Sequence, residues 1–124
     1  MFEVSFGKVF AKHYANFPDQ DKDKIDAFIE HYQEHGFVGL SGKNVESSNV
    51  SKDDPDFVKK VKYALSHSLW HYHIGIPEYT LSQCGTYSTS EYVLHYQKLS
   101  DYEIKLVDFS PHPPFQMPSE NYLD

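Results

Sequence analysis

The sequence predicts an α+β fold, in which N-terminal helices pack on one face of a small antiparallel β-sheet. Two observations predict it. In the first part of the chain, apolar residues recur at the three- and four-residue spacing of a helix face, and later they alternate with polar residues in separate stretches. The resulting order, β-α-α-(α)-β-β-β, brings the helices together on one face and leaves the other available for a functional site.

Length and composition predict one domain over residues 1–124. A chain of 124 residues suits a single hydrophobic core, and 40% of the residues are hydrophobic, far above the content of disordered chains. The N-terminus lacks a signal-peptide pattern, and no apolar run reaches the ~20 residues that span a bilayer. The single cysteine, Cys84, cannot form an internal disulfide. We therefore expect a cytoplasmic protein without membrane contact.

The start of the sequence predicts a strand followed by a helix. Phe2, Val4 and Phe6 alternate with polar residues, as in a half-buried strand. Aromatic residues then recur at helical spacing, which predicts a helix over residues 7–16. Pro18 ends this helix because proline lacks a backbone N–H donor.

Two further helices are predicted before the main strands. The clearer one covers residues 20–35, with Asp19 as its N-cap and Gly36 as its C-terminal stop. After a loop rich in Gly, Ser and Asn over residues 39–52, a short helix follows. Its pattern directs three apolar residues inward: Val58, Val61 and Leu65. It directs three lysines outward: Lys59, Lys60 and Lys62.

Three strands are predicted in the second half of the chain, over residues 68–76, 91–99 and 102–109. A polar loop covers residues 78–89, and a tight hairpin joins the last two strands. The proline-rich tail, residues 110–124, is expected to run extended over the surface. Its apolar residues are candidate anchors: Phe115, Tyr122 and Leu123.

Two histidines stand two residues apart in the first of these strands. Side chains alternate between the faces of a strand, so His71 and His73 share one face while Trp70 and Tyr72 share the other. Imidazoles change charge near neutral pH, and a pair of them suits proton transfer or metal binding. A solvated or hydrogen-bonded pair without a function is the alternative.

The charge of the chain excludes a conventional nucleic-acid binder. The formal net charge is -7, and all eleven basic residues are lysines. Nucleic-acid-binding proteins usually present a basic surface and use arginine for bidentate contacts. We therefore expect no DNA binding by the chain itself, and any RNA contact has to rest on a local patch.

Three short motifs resemble the bacterial toxins of the RelE/ParE superfamily, most closely its YafO-like branch. They are His-Tyr-His at residues 71–73, Thr-Ser-Glu-Tyr at residues 89–92 and Ser-Pro-His at residues 110–112. The resemblance implies a toxin of a type II toxin-antitoxin system, an mRNA interferase that cuts mRNA on the ribosome. It also implies a cognate antitoxin as partner and no metal or other cofactor.

The resemblance also implies a set of site residues. His71, His73 and His112 match the family pattern as catalytic acid and base, and we add His95 because its predicted strand neighbours theirs. Positive charge for the phosphate is expected from lysines: Lys59, Lys60, Lys62 and Lys105. Two tyrosines are candidates to stack on a displaced base: Tyr92 and Tyr96.

Two other readings stay open. The first is a metal site: the histidines at positions 71, 73 and 95 could bind zinc or iron, with Asp108 or Glu103 as the carboxylate ligand. His31 and His35, four residues apart on the predicted second helix, are a further pair that could bind a metal. Alternatively, the acidic chain is a non-enzymatic immunity or adaptor protein that masks a basic partner.

Overall fold

The computed structural model of the chain describes residues 2–76, 78–81, 88–111 and 117–124. Its helices are α1 (Lys8–Tyr14), α2 (Asp19–His35) and α3 (Phe57–Ser66), with a terminal 3-10 helix at Glu120–Leu123. Its strands are β1 (Glu3–Phe6), β2 (Asn44–Glu46), β3 (Leu69–Ile76), β4 (Thr80–Leu81), β5 (Ser88–Thr89), β6 (Tyr92–Ser100) and β7 (Glu103–Pro111). The α+β class is confirmed. No helix in these described ranges has the length and apolar character needed to cross a membrane.

Five strands form one mixed sheet in the order β1-β7-β6-β3-β2. The predicted sheet was antiparallel, and this is wrong at one edge, where β1 pairs with β7 in parallel. A parallel neighbour requires a long crossover connection, and the helices and strands between β1 and β7 provide it. The short strands β4 and β5 form a separate two-stranded ribbon within the predicted polar loop.

Helices α1 and α2 pack on one face of the sheet, as predicted. Their buried residues are Phe10, Ile25, Phe28 and Tyr32. The sheet contributes Tyr72, Ile74, Leu94, Tyr96, Ile104 and Leu106 to the same cluster. Helix α2 begins one residue before the predicted start, at Asp19, and ends at His35 as predicted; the following Gly36 is its C-cap and has a φ of +63°, which suits glycine.

Helix α3 packs on the opposite face, and its predicted orientation is wrong. It buries Ala64 against Leu69 and Val107, whereas Val58 and Leu65 are 61% and 56% exposed. A small side chain at position 64 lets the helix approach the sheet closely, and this contact turns the larger Val58 and Leu65 outward. The face opposite α1 and α2 is therefore partly covered.

Two other segments differ from the prediction. Strand β2 lies inside the predicted loop 39–52 and pairs with β3. The last residues form the 3-10 helix and are not extended throughout, although Tyr122 and Leu123 are partly buried as anchors. Phe115, the other predicted anchor, lies outside the described residues.

Candidate functional site

The predicted histidines lie together on the sheet face opposite α1 and α2. His71 and His73 are neighbours along β3, with ring centroids 5.9 Å apart. His95 on β6 is paired directly with His71, and their ring centroids are 6.1 Å apart. The strand alternation therefore predicted the shared face, and the antiparallel register brings in the third imidazole. We call these three residues the histidine cluster.

The histidine cluster lies inside the protein. His71 and His73 are each 6% exposed, and His95 is 0% exposed. A solvated sheet face, the alternative that the sequence left open, is therefore wrong for these side chains. Hydrogen-bonded histidines remain compatible with the structure.

Two serine hydroxyls orient two of the rings. The Ser47 hydroxyl lies 3.0 Å from Nδ1 of His71, and the Ser110 hydroxyl lies 2.8 Å from Nε2 of His95. A hydroxyl can donate or accept, so each contact can adjust to the protonation state of its ring nitrogen. These contacts fix the rings without fixing their charge.

The His73 ring is held by the backbone of one residue. The Ser90 N–H donates to Nδ1 of His73 over 3.1 Å, and the Ser90 carbonyl oxygen lies 3.0 Å from the same nitrogen. When Nδ1 carries no proton it accepts from the N–H, and when it is protonated it can donate to the carbonyl. Neutral and protonated His73 therefore both have a hydrogen-bond partner at this nitrogen.

An irregularity in the β3–β6 pairing places Ser90 at this position. The register shifts between His73 and Ile76, where Gly75 has a φ of +83°. The Gly75 N–H donates to the Ser90 hydroxyl over 3.1 Å, and this hydroxyl donates to the Tyr92 carbonyl over 2.7 Å. The bulge thus anchors Ser90 beside His73.

Asp108 is the carboxylate nearest to the histidine cluster in the strand register, directly across from His95. Burial raises the pKa of Asp108, while a hydrogen bond from the Phe109 N–H and the charge of His13 act in the opposite direction. Among the described residues, however, no three His, Cys, Asp or Glu side chains are arranged to hold a metal ion. The expected three-histidine metal site is not formed by these residues.

The other predicted site residues are dispersed. His112 lies outside the described residues, as does Cys84. His31 is bonded to the Val38 carbonyl over 2.6 Å, and His35 is exposed beside Glu34. Neither histidine of this helical pair contributes to the cluster.

The lysines differ in what they contact. Lys59 and Lys62 are exposed on α3, whereas Lys60 forms an ion pair with Asp54 over 2.6 Å. Lys105 donates a hydrogen bond to the Leu123 carbonyl. Lys60 and Lys105 therefore have partners within the fold.

The two tyrosines are packed in different degrees. Tyr96 is 0% exposed, and its hydroxyl donates to Oδ1 of Asn44 over 2.7 Å, so it cannot stack on a base in this structure. Tyr92 is half-buried and stacks on Phe109 with ring centroids 5.1 Å apart. The prediction of a stacking role fails for Tyr96 because the inward face of β6 belongs to the core.

Sequence reasoning missed the three serines that hold the cluster. Ser90 and Ser110 lie in motifs that the sequence had singled out, but as markers of the resemblance and not as histidine partners. No pattern in the sequence identifies Ser47 as a partner of His71, because its position depends on where β2 ends beside β3.

Comparisons of the chain with protein-family models, with curated proteins and with solved structures find no match. The fold and site define an α+β protein with a buried histidine cluster on a mixed sheet.

Proposed function

We propose that this chain is the toxin of a type II toxin-antitoxin pair and cuts mRNA on the ribosome without a metal. It acts in the cytoplasm and is neutralised by an antitoxin protein. The observation that supports this function best is the contact of His73 with both the N–H and the carbonyl of Ser90. A histidine that exchanges a proton during a reaction needs a stable arrangement in both protonation states.

The chemistry requires one base and one acid. The base removes the proton from the 2′-hydroxyl, whose oxygen attacks the adjacent phosphorus. The acid donates a proton to the departing 5′-oxygen, so that a 2′,3′-cyclic phosphate and a free 5′-hydroxyl result. His73 takes one of these roles, and His71 or His112 takes the other. His95 supports His71 from the neighbouring strand.

The negative net charge of the chain favours mRNA on the ribosome over free RNA as the substrate. A net charge of -7 disfavours encounter with free RNA, whereas a ribosome presents mRNA already held in place. Lys62 and Lys105 are the candidates to stabilise the phosphate. Lys105 then has to exchange its bond to the Leu123 carbonyl for the phosphate.

The test is mRNA cleavage by the purified chain in the presence of translating ribosomes and of a chelator that removes transition-metal ions but leaves the Mg²⁺ that the ribosome requires. His73→Ala should lower the cleavage rate by about 10²–10⁴-fold, which is the usual contribution of a general acid or base. His73→Asn provides a second variant, because its amide oxygen can still accept from the Ser90 N–H but cannot exchange a proton. The exposed His35→Ala is the matched control and should cut normally.

Each outcome has a defined meaning. Loss of cleavage in both His73 variants, with folded proteins by circular dichroism, supports the assignment of His73. Full activity in these variants would support the nuclease function but would contradict the assignment of His73 to its active site. If the chain does not cut at all, or cuts only when a transition-metal ion such as zinc or iron is restored, the metal-independent interferase is refuted.

A non-enzymatic acidic binding protein is the second candidate, and helix α2 favours it. Its exposed acidic residues are Asp19, Asp23, Asp26, Glu30 and Glu34. A stable, salt-sensitive complex with a basic protein encoded beside it, together with absence of cleavage, would support this function.

A further inference from the structure

Helix α3 presents two large apolar side chains to solvent. Val58 and Leu65 are seven residues apart, so they lie on one side of the helix and about 10 Å apart along its axis. The helix already satisfies its packing against the sheet through Ala64. The exposure of these two side chains is therefore not required by the fold, and exposed apolar residues grouped in this way are typical of interaction sites.

The same side of α3 is basic, in contrast to the rest of the chain. Lys59 and Lys62 are exposed there, and neither forms an ion pair with another described residue. Lys60, by comparison, points its ammonium at Asp54. We call Val58, Lys59, Lys62 and Leu65 the α3 outer face.

A cleft adjoins each end of the α3 outer face. One, of about 450 Å³, is lined by Pro55, Asp56, Phe57 and Val58 together with both lysines. The other, of about 330 Å³, lies between Leu65, Trp70 and Lys98, and the carboxylates of Glu46 and Asp101 also line it. Side chains of a docked segment could enter both clefts while its backbone follows the helix.

We propose that the α3 outer face docks an acidic amphipathic helix of a partner protein. Such a helix offers apolar side chains seven residues apart, which match the separation of Val58 and Leu65, and carboxylates for Lys59 and Lys62. Helices commonly bind through apolar anchors at this spacing. Complementary charge supplies the orientation and the rate of encounter.

Other occupants fit this surface less well. RNA would contact the lysines, of which Lys62 is also a candidate for the phosphate in the proposed function, but it would gain nothing from Val58 and Leu65 and would meet no arginine. An anionic membrane would be repelled by a net charge of -7. A second copy of this chain would have to use its acidic helix α2, but the only exposed apolar residue within α2 is Ala27.

The probe is a helix-forming peptide of about 20 residues with two leucines seven residues apart and glutamates beside them. Binding to the full chain is measured by fluorescence anisotropy and mapped by NMR chemical shifts. Saturable binding should perturb residues 55–66. It should weaken about tenfold in Val58→Ser/Leu65→Ser and in Lys59→Gln/Lys62→Gln, and also when glutamine replaces the peptide's glutamates.

The controls use matched surface positions elsewhere. Val38→Ser removes an exposed apolar residue and Lys52→Gln an exposed lysine, and neither should change peptide binding. Thermal unfolding of each variant shows whether it is folded. The cleavage assay is not used, so failure here is separate from failure of the proposed function.

Four results would overturn the inference. The first is absence of peptide binding, and the second is binding that is unchanged in both double variants. The third is preferential binding of single-stranded RNA or anionic vesicles that depends on the lysines but not on Val58 and Leu65. Dimerisation of the chain through the same residues would likewise assign the surface to a second copy.

Discussion

At the scale of single residues, close approach of backbone segments explains one glycine beside the histidine cluster. A Cβ added at Gly42 would lie 1.8 Å from the carbonyl oxygen of His73. The His73 N–H donates to the Lys43 carbonyl over 2.9 Å, so the two segments cannot separate without losing this bond. Gly42 thus keeps the chain before β2 against the strand that carries His71 and His73.

Gly42→Ala should therefore lower the free energy of unfolding by about 3 kcal/mol, because backbone has to move. Gly39→Ala is the control: Gly39 has a φ of +82°, but a Cβ there meets only the edge of His31 at 3.5 Å. Gly39→Ala should lower the free energy of unfolding by about 1 kcal/mol, because alanine is strained at this φ. Urea unfolding measures both, and equal losses would contradict the close contact at Gly42.

Asp108 makes the stability of the fold depend on pH in a defined direction. Burial raises its pKa above 3.8, so the unfolded chain loses this proton at a lower pH than the folded chain. At a pH below both the unfolded and the folded pKa, Asp108 is protonated in both states and does not affect stability. As the pH rises through these two pKa values, the buried carboxylate becomes ionised and destabilises the folded protein.

Asp108→Asn should consequently be more stable than the unsubstituted chain at pH 7, with a difference that disappears near pH 3. Its amide oxygen can still accept from the Phe109 N–H. Asp54→Asn should show the opposite sign, because the hydrogen bond from Lys60 lowers the pKa of Asp54 and stabilises its charged form. Urea unfolding across pH gives both profiles. A less stable Asp108→Asn at pH 7 would contradict the burial argument.

At the scale of elements, the sequence predicted those whose pattern was long enough to be unambiguous. Helix α2 repeats its apolar residues over about two turns, from Ile25 to Tyr32, and Gly36 marks its C-terminal end, although the N-cap is Pro18 and not the predicted Asp19. Strand β2 has only three residues, too few for alternation to be recognised. The orientation of α3 was predicted from the larger apolar residues, but close packing selected the smallest, Ala64.

The site was predictable to the same extent. Alternation placed His71 and His73 on one face, since the period of a strand is two. The hydroxyls of Ser47 and Ser110 and the backbone of Ser90 come from segments far apart in the chain. Their positions depend on strand register and on a bulge, which no local pattern encodes.

Tyr96 connects two elements, and its removal should weaken their connection. Its hydroxyl donates from β6 to Asn44 on β2, across the strand that lies between them. Tyr96→Phe should lower the free energy of unfolding by about 1.5 kcal/mol, because Asn44 loses a buried partner. The exposed Tyr102→Phe should change it little. Equal effects in urea unfolding would show that the hydrogen bond between Tyr96 and Asn44 adds no net stability.

At the scale of the whole molecule, the parallel edge brings the two ends of the chain together. Glu3 pairs with Glu103, and the 3-10 helix returns to α1, where the rings of His13 and Tyr122 are 6.1 Å apart. A Cβ at Gly7 would lie 2.9 Å from the Tyr122 carbonyl oxygen. From Gly7 back to Phe2, the chain runs along β1 for five residues, a length of about 17 Å.

The backbone is therefore an almost closed ring, and the place where it is cut can be moved. A circular permutant that begins at Lys52, in an exposed loop, and joins residue 124 to residue 1 through about ten Gly and Ser residues should keep the fold. Direct joining leaves four Cα steps between Tyr122 and Phe2, about 14 Å, which is less than the ~17 Å that β1 spans between Gly7 and Phe2. Circular dichroism and urea unfolding should show a native-like permutant with the linker and a destabilised one without it. Equal stability of the two would mean that β1 does not hold the ends at this separation.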